Sequence, residues 1–178
     1  MRKTLFLILI TVFFTIGSCA SQNNVTTAPQ KELVGSFGIY LVKGDFGPYL
    51  SKIPAIDNPN LILDDKPIIS IDDIVYYKKN SHEIELTPSA FARIKQFGIR
   101  APLIGPLFAV CLDRKPIYLG AFVSPLSSIS FNGVTIDEVE LFSPDKNIIH
   151  LYGWEEQGQD PRSNPLIFRS LEKAGKLK

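Results

Sequence analysis

Histidine and cysteine, the side chains that most often build metal centres and activated nucleophiles, are almost missing from this chain: there are two of each in 178 residues. His82 and His150 are far apart in sequence, each on or beside an expected strand, and they read as structural or solvated residues. Glu83 and Glu85 alternate onto the strand face opposite His82, which leaves that histidine without the nearby carboxylates a metal would want. No metal and no other cofactor is expected. The patterns G-x-S-x-G, H-E-x-x-H, C-x-x-C and the phosphate-binding P-loop are all absent, so the chemistries those motifs carry have no support. The acidic pairs Asp64-Asp65 and Asp72-Asp73 lack the alternating oxygen ligands and central glycine of a calcium loop, and they read as turn and strand-start residues. Ser124, Ser127 and Ser128 in "SPLSS" have no histidine near them in sequence. No catalytic residue is expected.

Charge of neither sign is in excess. Nineteen basic side chains face 18 acidic ones, a formal charge of +1; removing residues 1–18 with Arg2 and Lys3 leaves 17 against 18, a charge of −1. A nucleic-acid footprint needs a concentrated basic patch, so nucleic acid is not an expected partner. The longest apolar run stands at the start, from Leu5 to Phe14, and it gives way to Gly17 and Ser18. A helix needs about 20 apolar residues to span a bilayer, and this run is shorter. A basic start, a short apolar core and small residues at the end describe a secretory signal peptide over residues 1–18.

The tetrad Ile16-Gly17-Ser18-Cys19 resembles the lipobox of bacterial lipoproteins, although Ser18 departs from the commonest small residues there. The resemblance implies that Cys19 is acylated and becomes the first mature residue; the alternative is an ordinary signal peptide cut near Ala20. One acyl chain gives only marginal membrane binding at about 0.8 kcal/mol per buried methylene, and the three chains typical of such lipoproteins would hold the protein at a membrane. Ala20 is not the aspartate that resembles an inner-membrane retention signal. The expected location is the outer membrane facing the periplasm in a Gram-negative cell, and otherwise the outer face of the cell membrane. With Cys19 acylated, Cys111 has no partner for a disulfide within the chain. It sits in "LFAVCL", apolar on both strand faces, and reads as a buried packing residue.

Residues 19–34, "CASQNNVTTAPQKELV", hold little that could offset their ordering entropy by burial, and a flexible tether is expected there. Residues 35–178 suit a single domain. Strands are expected from Gly35 to Lys43, Ile74 to Lys78 and Glu83 to Leu86, with an irregular excursion from Gly44 to Pro67. Thr87 before Pro88 announces a helix ending at Gly98, with Phe91 and Ile94 facing the core. Leu107 to Leu112 and Ile117 to Val123 form a hairpin around Asp113-Arg114-Lys115-Pro116. "SISFNGVTI" and "NIIHLYGW" supply two more strands, and Asn164-Pro165 opens a last helix that Gly175 stops. The fold class that follows is α+β: an antiparallel sheet built from hairpins around a ββαββ core, with helices packed on one face.

The stretch from Pro67 to Ile136, with "PIISIDDI", "IELTPSAFARI", "LFAVCLDRKPIYLGAF" and "SSISFNGVTI", resembles the head subdomain of the first periplasmic region of the SecD/SecDF protein-export factors. The resemblance implies a non-enzymatic surface in contact with exported polypeptides. The chain lacks the multiple transmembrane helices that drive those factors, so an accessory role is implied and active pulling is not. Tyr76 and Tyr77 are adjacent on a strand, so one of them faces outward, and Tyr152 and Trp154 share a face by period two. Tyr76, Tyr77, Tyr152 and Trp154 are the candidate binding surface. The leading expectation is a lipid-anchored extracytoplasmic binding or accessory domain, not an enzyme, whose partners are the membrane and an envelope or exported protein. An export-linked module and a hydrolase with an unfamiliar site are the alternatives.

Overall fold

The computed structural model describes residues 35–44, 55–98, 104–124, 131, 133–142, 146–153 and 159–178; the expected signal peptide and tether, Cys19, Ser127, Ser128 and Trp154 lie outside them. Strand β1 (Phe37–Lys43) serves two layers, because alternate residues of a strand point to opposite faces. On one edge it pairs antiparallel with β2 (Ile62–Leu63) and β3 (Ile69–Ser70), and on the other with β6 (Ile104–Leu112). The sheet continues through β7 (Lys115–Val123) to β8 (Val134–Asp137). A second, three-stranded antiparallel sheet holds β4 (Ile74–Lys78), β5 (Glu83–Leu86) and β9 (Ile148–His150). Two helices, α1 (Pro88–Gly98) and α2 (Pro165–Lys173), complete an α+β fold.

The helix boundaries follow the capping chemistry. Thr87 Oγ1 accepts from the Ala90 amide at 3.3 Å and opens α1. Asn164 Oδ1 accepts from the Leu166 amide at 2.9 Å, with Pro165 at the first helical position of α2. Gly175 adopts φ 68°, and the amides of Gly175 and Lys176 return to the carbonyls of Glu172 and Leu171 at 2.9 and 2.8 Å. That is the paired closure of a Schellman motif. The turned chain then lays Leu177 beside Tyr77 of β4 in a parallel bridge.

The β6–β7 hairpin closes more tightly than its charged four-residue stretch suggests. Leu112 pairs with Lys115, so the loop is Asp113-Arg114 alone, with φ 47° and 61° as a two-residue hairpin turn of type I′ requires. Arginine is uncommon at positive φ; here its guanidinium donates to the carbonyls of Asp64 and Asp65 at 3.1 and 2.6 Å. Pro116 falls opposite Cys111 where the register shifts, a position that tolerates its missing N–H. The hairpins on either side of α1 belong to different sheets, and β8 runs parallel to β7. An antiparallel bridge between Thr135 and Tyr152, with bonds of 2.9 and 2.8 Å, joins the two sheets.

One core lies between the sheets and under both helices. Phe37, Ile39, Phe108, Val110, Phe122 and Ile136 from the large sheet meet Ile74, Tyr77, Ile84 and Ile149 from the small one. Phe91, Ile94, Ile167 and Leu171 close it from the helices. Ser170 of α2 fixes the start of β1: its hydroxyl donates to the Gly35 carbonyl at 2.7 Å and accepts from the Phe37 amide at 3.1 Å. The opposite face of the large sheet carries a second buried cluster of Val42, Leu107, Ala109, Cys111 and Ala121. Among the described residues, no helix is long and apolar enough to cross a membrane.

Candidate functional site

In the small sheet Ile84, Leu86 and Ile149 point inward by strand alternation, and the register shift between Ile74 and Tyr76 lets Ile74 and Tyr77 join them although they stand three residues apart. Lys78, Glu83 and His150 stand in register across β4, β5 and β9, with Tyr76, Glu85 and Ile148 in the next row. Lys78 pairs with Glu83 Oε2, and Glu83 Oε1 lies 2.8 Å from His150 Nε2. The other ring nitrogen, Nδ1, bonds Glu140 Oε1. Glu140 belongs to a 3-10 segment, Glu138–Phe142, that follows β8. Its carboxylate also accepts from the His150 amide at 2.7 Å and from the Tyr152 hydroxyl at 2.5 Å.

Lys78, Glu83, His150 and Glu140 thus form one row in which each member holds the next. Hydrogen bonds from Lys78 and then from His150 bring the Glu83 carboxyl down to about 2. Burial, joined by the bond to Glu140, pushes the Tyr152 hydroxyl up to about 12. The rings of His150 and Tyr152 stack at 5.2 Å and 27°. On the neighbouring row the Tyr76 hydroxyl bonds Glu85, which raises its pKa, while the Lys178 ammonium sits 3.9 Å over its ring.

Apolar side chains flank this row. A 3-10 turn repeats every three residues, so Val139 and Phe142 emerge on one side of their segment while Glu138 and Leu141 are buried on another. Val139, Phe142 and Tyr152 are 54, 55 and 43% exposed.

His82 occupies a different place. It ends the β4–β5 turn at φ 54°, with its ring buried. Nδ1 lies 2.9 Å from the Tyr77 hydroxyl, and Nε2 lies 3.6 Å from Asp160 Oδ2. Arg162 grips Asp160 with Nε and Nη2 and donates through Nη1 to the Leu151 carbonyl at 2.7 Å. Burial, reinforced by the Arg162 charge, lowers the His82 pKa. For Asp160 burial acts upward, and the Arg162 hydrogen bonds outweigh it and hold the carboxyl below its ordinary range. The network fastens the β4–β5 turn to the segment before α2.

Of the surface candidates, the structure places Tyr76 and Tyr152 on the outer side of the small sheet. Tyr77 is corrected: it is 1% exposed, because strand alternation assigns it to the core, and burial raises its pKa strongly. Trp154 and Cys19 lie outside the described residues. Cys111 is fully buried, and burial pushes its thiol up to about 12. The expectation that His82 has no carboxylate nearby is also corrected. His150 is held by Glu83 and Glu140 and His82 faces Asp160, contacts made by strand pairing and chain return across long sequence separations. The single local hint was the period-two pairing of His150 with Tyr152. Glu83, His150 and Glu140 bond one another in sequence around the face; among the described residues no group of three or more His, Cys, Asp or Glu is arranged to hold a metal. Comparison with protein families, with characterised proteins and with solved structures gives no match.

Proposed function

We propose that this chain is a lipid-anchored extracytoplasmic binding domain that uses the outer face of the small sheet to contact an envelope or exported protein, without catalysing a reaction. The observation that carries the reading is the exposed set Val139, Phe142 and Tyr152 beside a charge row whose members already satisfy one another. Aromatic anchors within a polar surround suit a protein partner, since a few such side chains supply most of the energy of a protein interface. A row that spends its donors and acceptors internally contributes rigidity instead of a free nucleophile or base. The anchor rests on the lipobox at Ile16–Cys19.

Two experiments test the reading. A photo-reactive amino acid at Phe142 or Tyr152 should trap a protein partner in the native envelope, whereas the same residue at exposed Lys66 should not. Absence of any adduct from both positions, or the same adducts from Lys66, counts against the surface. Cys19→Ser should release the protein from membranes, and retention would refute the anchor.

A further inference from the structure

We infer that the edge of the small sheet formed by β4 and residues 176–178 rests on a membrane surface rich in anionic phospholipid headgroups. The proposal rests on the lipid-anchor reading for its geometry, and on the following placement for its chemistry. The Gly175 turn redirects the chain so that Tyr77 N–H donates to the Lys176 carbonyl at 2.7 Å and Lys178 N–H donates to the Tyr77 carbonyl at 2.8 Å. Leu177 packs toward the core in that register, so Lys176 and Lys178 project to the side where Tyr76 and Lys78 stand. Lys79 follows at the end of β4, its ammonium 5.0 Å from the Phe168 ring centroid. Lys173 stands at the near end, on the rim of a shallow depression that it shares with Gly35 and Ser36, where the chain enters the domain. Five lysines thus run along one edge from the point of entry. The acidic groups among them are exposed Glu172, Glu83, which is paired with Lys78, and Glu85, which bonds the Tyr76 hydroxyl under Lys178, so five lysines face three carboxylates.

Charge complementarity chooses the occupant. The mature chain carries a formal −1, so a local excess of cations is a concentration of charge and not a property of the whole surface. The exposed large apolar side chains lie elsewhere, apart from Val75 on β4, and an edge so poor in apolar anchors suits headgroups better than the core of a protein interface. Each lysine close to an anionic leaflet strengthens partitioning by about fivefold. These contacts are modest beside an anchor, and there they would set which side of the domain faces the membrane, leaving Phe142 and Tyr152 on another part of the surface.

The test uses residues 20–178 without lipid, whose core lies wholly within the described domain. Cosedimentation is measured with vesicles of phosphatidylcholine alone and with about a third phosphatidylglycerol. Binding to the anionic vesicles alone is expected, weakened by salt, since the contacts are screened over about 10 Å at 0.1 M. Lys176→Gln with Lys178→Gln should weaken it at least tenfold with an unchanged melting temperature, and Lys115→Gln, at the tip of the other hairpin, should leave it unchanged. Equal binding to neutral vesicles, no binding to either, or an equal loss from Lys115→Gln would overturn the proposal. Because this protein has no acyl chain, these outcomes are independent of whether Cys19→Ser releases the full chain in cells.

Discussion

Glu83→Gln separates the electrostatics of the outer face from its shape. The amide keeps the size of the side chain and an acceptor for His150 Nε2, but it removes the charge that Lys78 and His150 hold. A carboxyl at about 2 instead of its ordinary 4.5 would contribute about 3 kcal/mol if the whole interaction survived in solvent. The side chain is 20% exposed, and solvent screening of pairs in such places leaves about 1 kcal/mol. The sign follows from proton binding. Between about 4.5 and about 2 the unfolded chain holds a proton on Glu83 that the folded protein does not, so this contribution is complete above 4.5 and is lost as the pH falls through 2. For a domain of this size the expected difference in melting temperature is about 2–4 °C. Thermal melts of both proteins followed by circular dichroism should therefore show Glu83→Gln the less stable at about pH 5, with the gap closing toward pH 2. A gap that persists unchanged down to pH 2, or no gap at any pH, would refute the assignment of the stabilisation to the Glu83 charge.

Two further substitutions test the packing that supports the face. Gly120→Ala would place a methyl group 2.3 Å from Phe108 Cζ and 2.5 Å from the Val134 carbonyl oxygen; Phe108 is fully buried against Phe122 and β8 is held by backbone pairing. A loss of about 1–3 kcal/mol is expected in denaturant unfolding, and an unchanged midpoint would show that β7 and β8 separate easily. Ser170→Ala leaves the buried Phe37 amide without its acceptor, at a cost of about 1–3 kcal/mol. Hydrogen exchange should quicken at Phe37 before it does in β6, and uniform protection would show that Ser170 does not fix the start of β1.

Most elements were legible because their signals are local. Thr87-Pro88 and Asn164-Pro165 announce helices by the chemistry of the first turn, Gly175 ends one by admitting positive φ, and "FGIYLVK" has few conformations open to it but a strand. The Asp113-Arg114 turn was hidden because neither residue advertises positive φ as Asn-Gly would; its support comes from carbonyls some fifty positions earlier in the chain. The direction of β8 was hidden for a related reason. The stretch "VTID" is an equally good strand parallel or antiparallel to β7, and only the return of the chain decides between them. Period two put Tyr76 and Tyr77 on opposite faces without saying which of them is buried, and the packing of Tyr77 in the core decides it. Whether a histidine meets a carboxylate is decided between strands, and Glu83 and His150 are 67 positions apart.

The same distinction bears on what the outer face can offer a partner. Tyr152 contributes its backbone to the bridge that joins the sheets and its hydroxyl to Glu140, which in turn holds both the amide and the ring of His150. The seam between the sheets and the candidate binding surface therefore share one residue. With its hydroxyl spent and one side of its ring against His150, Tyr152 has chiefly its remaining ring face to present, in an orientation fixed before any partner arrives. Fixing an aromatic side chain in advance removes part of the ordering cost of association. The polar row thus acts on binding through the position of Tyr152, even where no member of the row touches the partner.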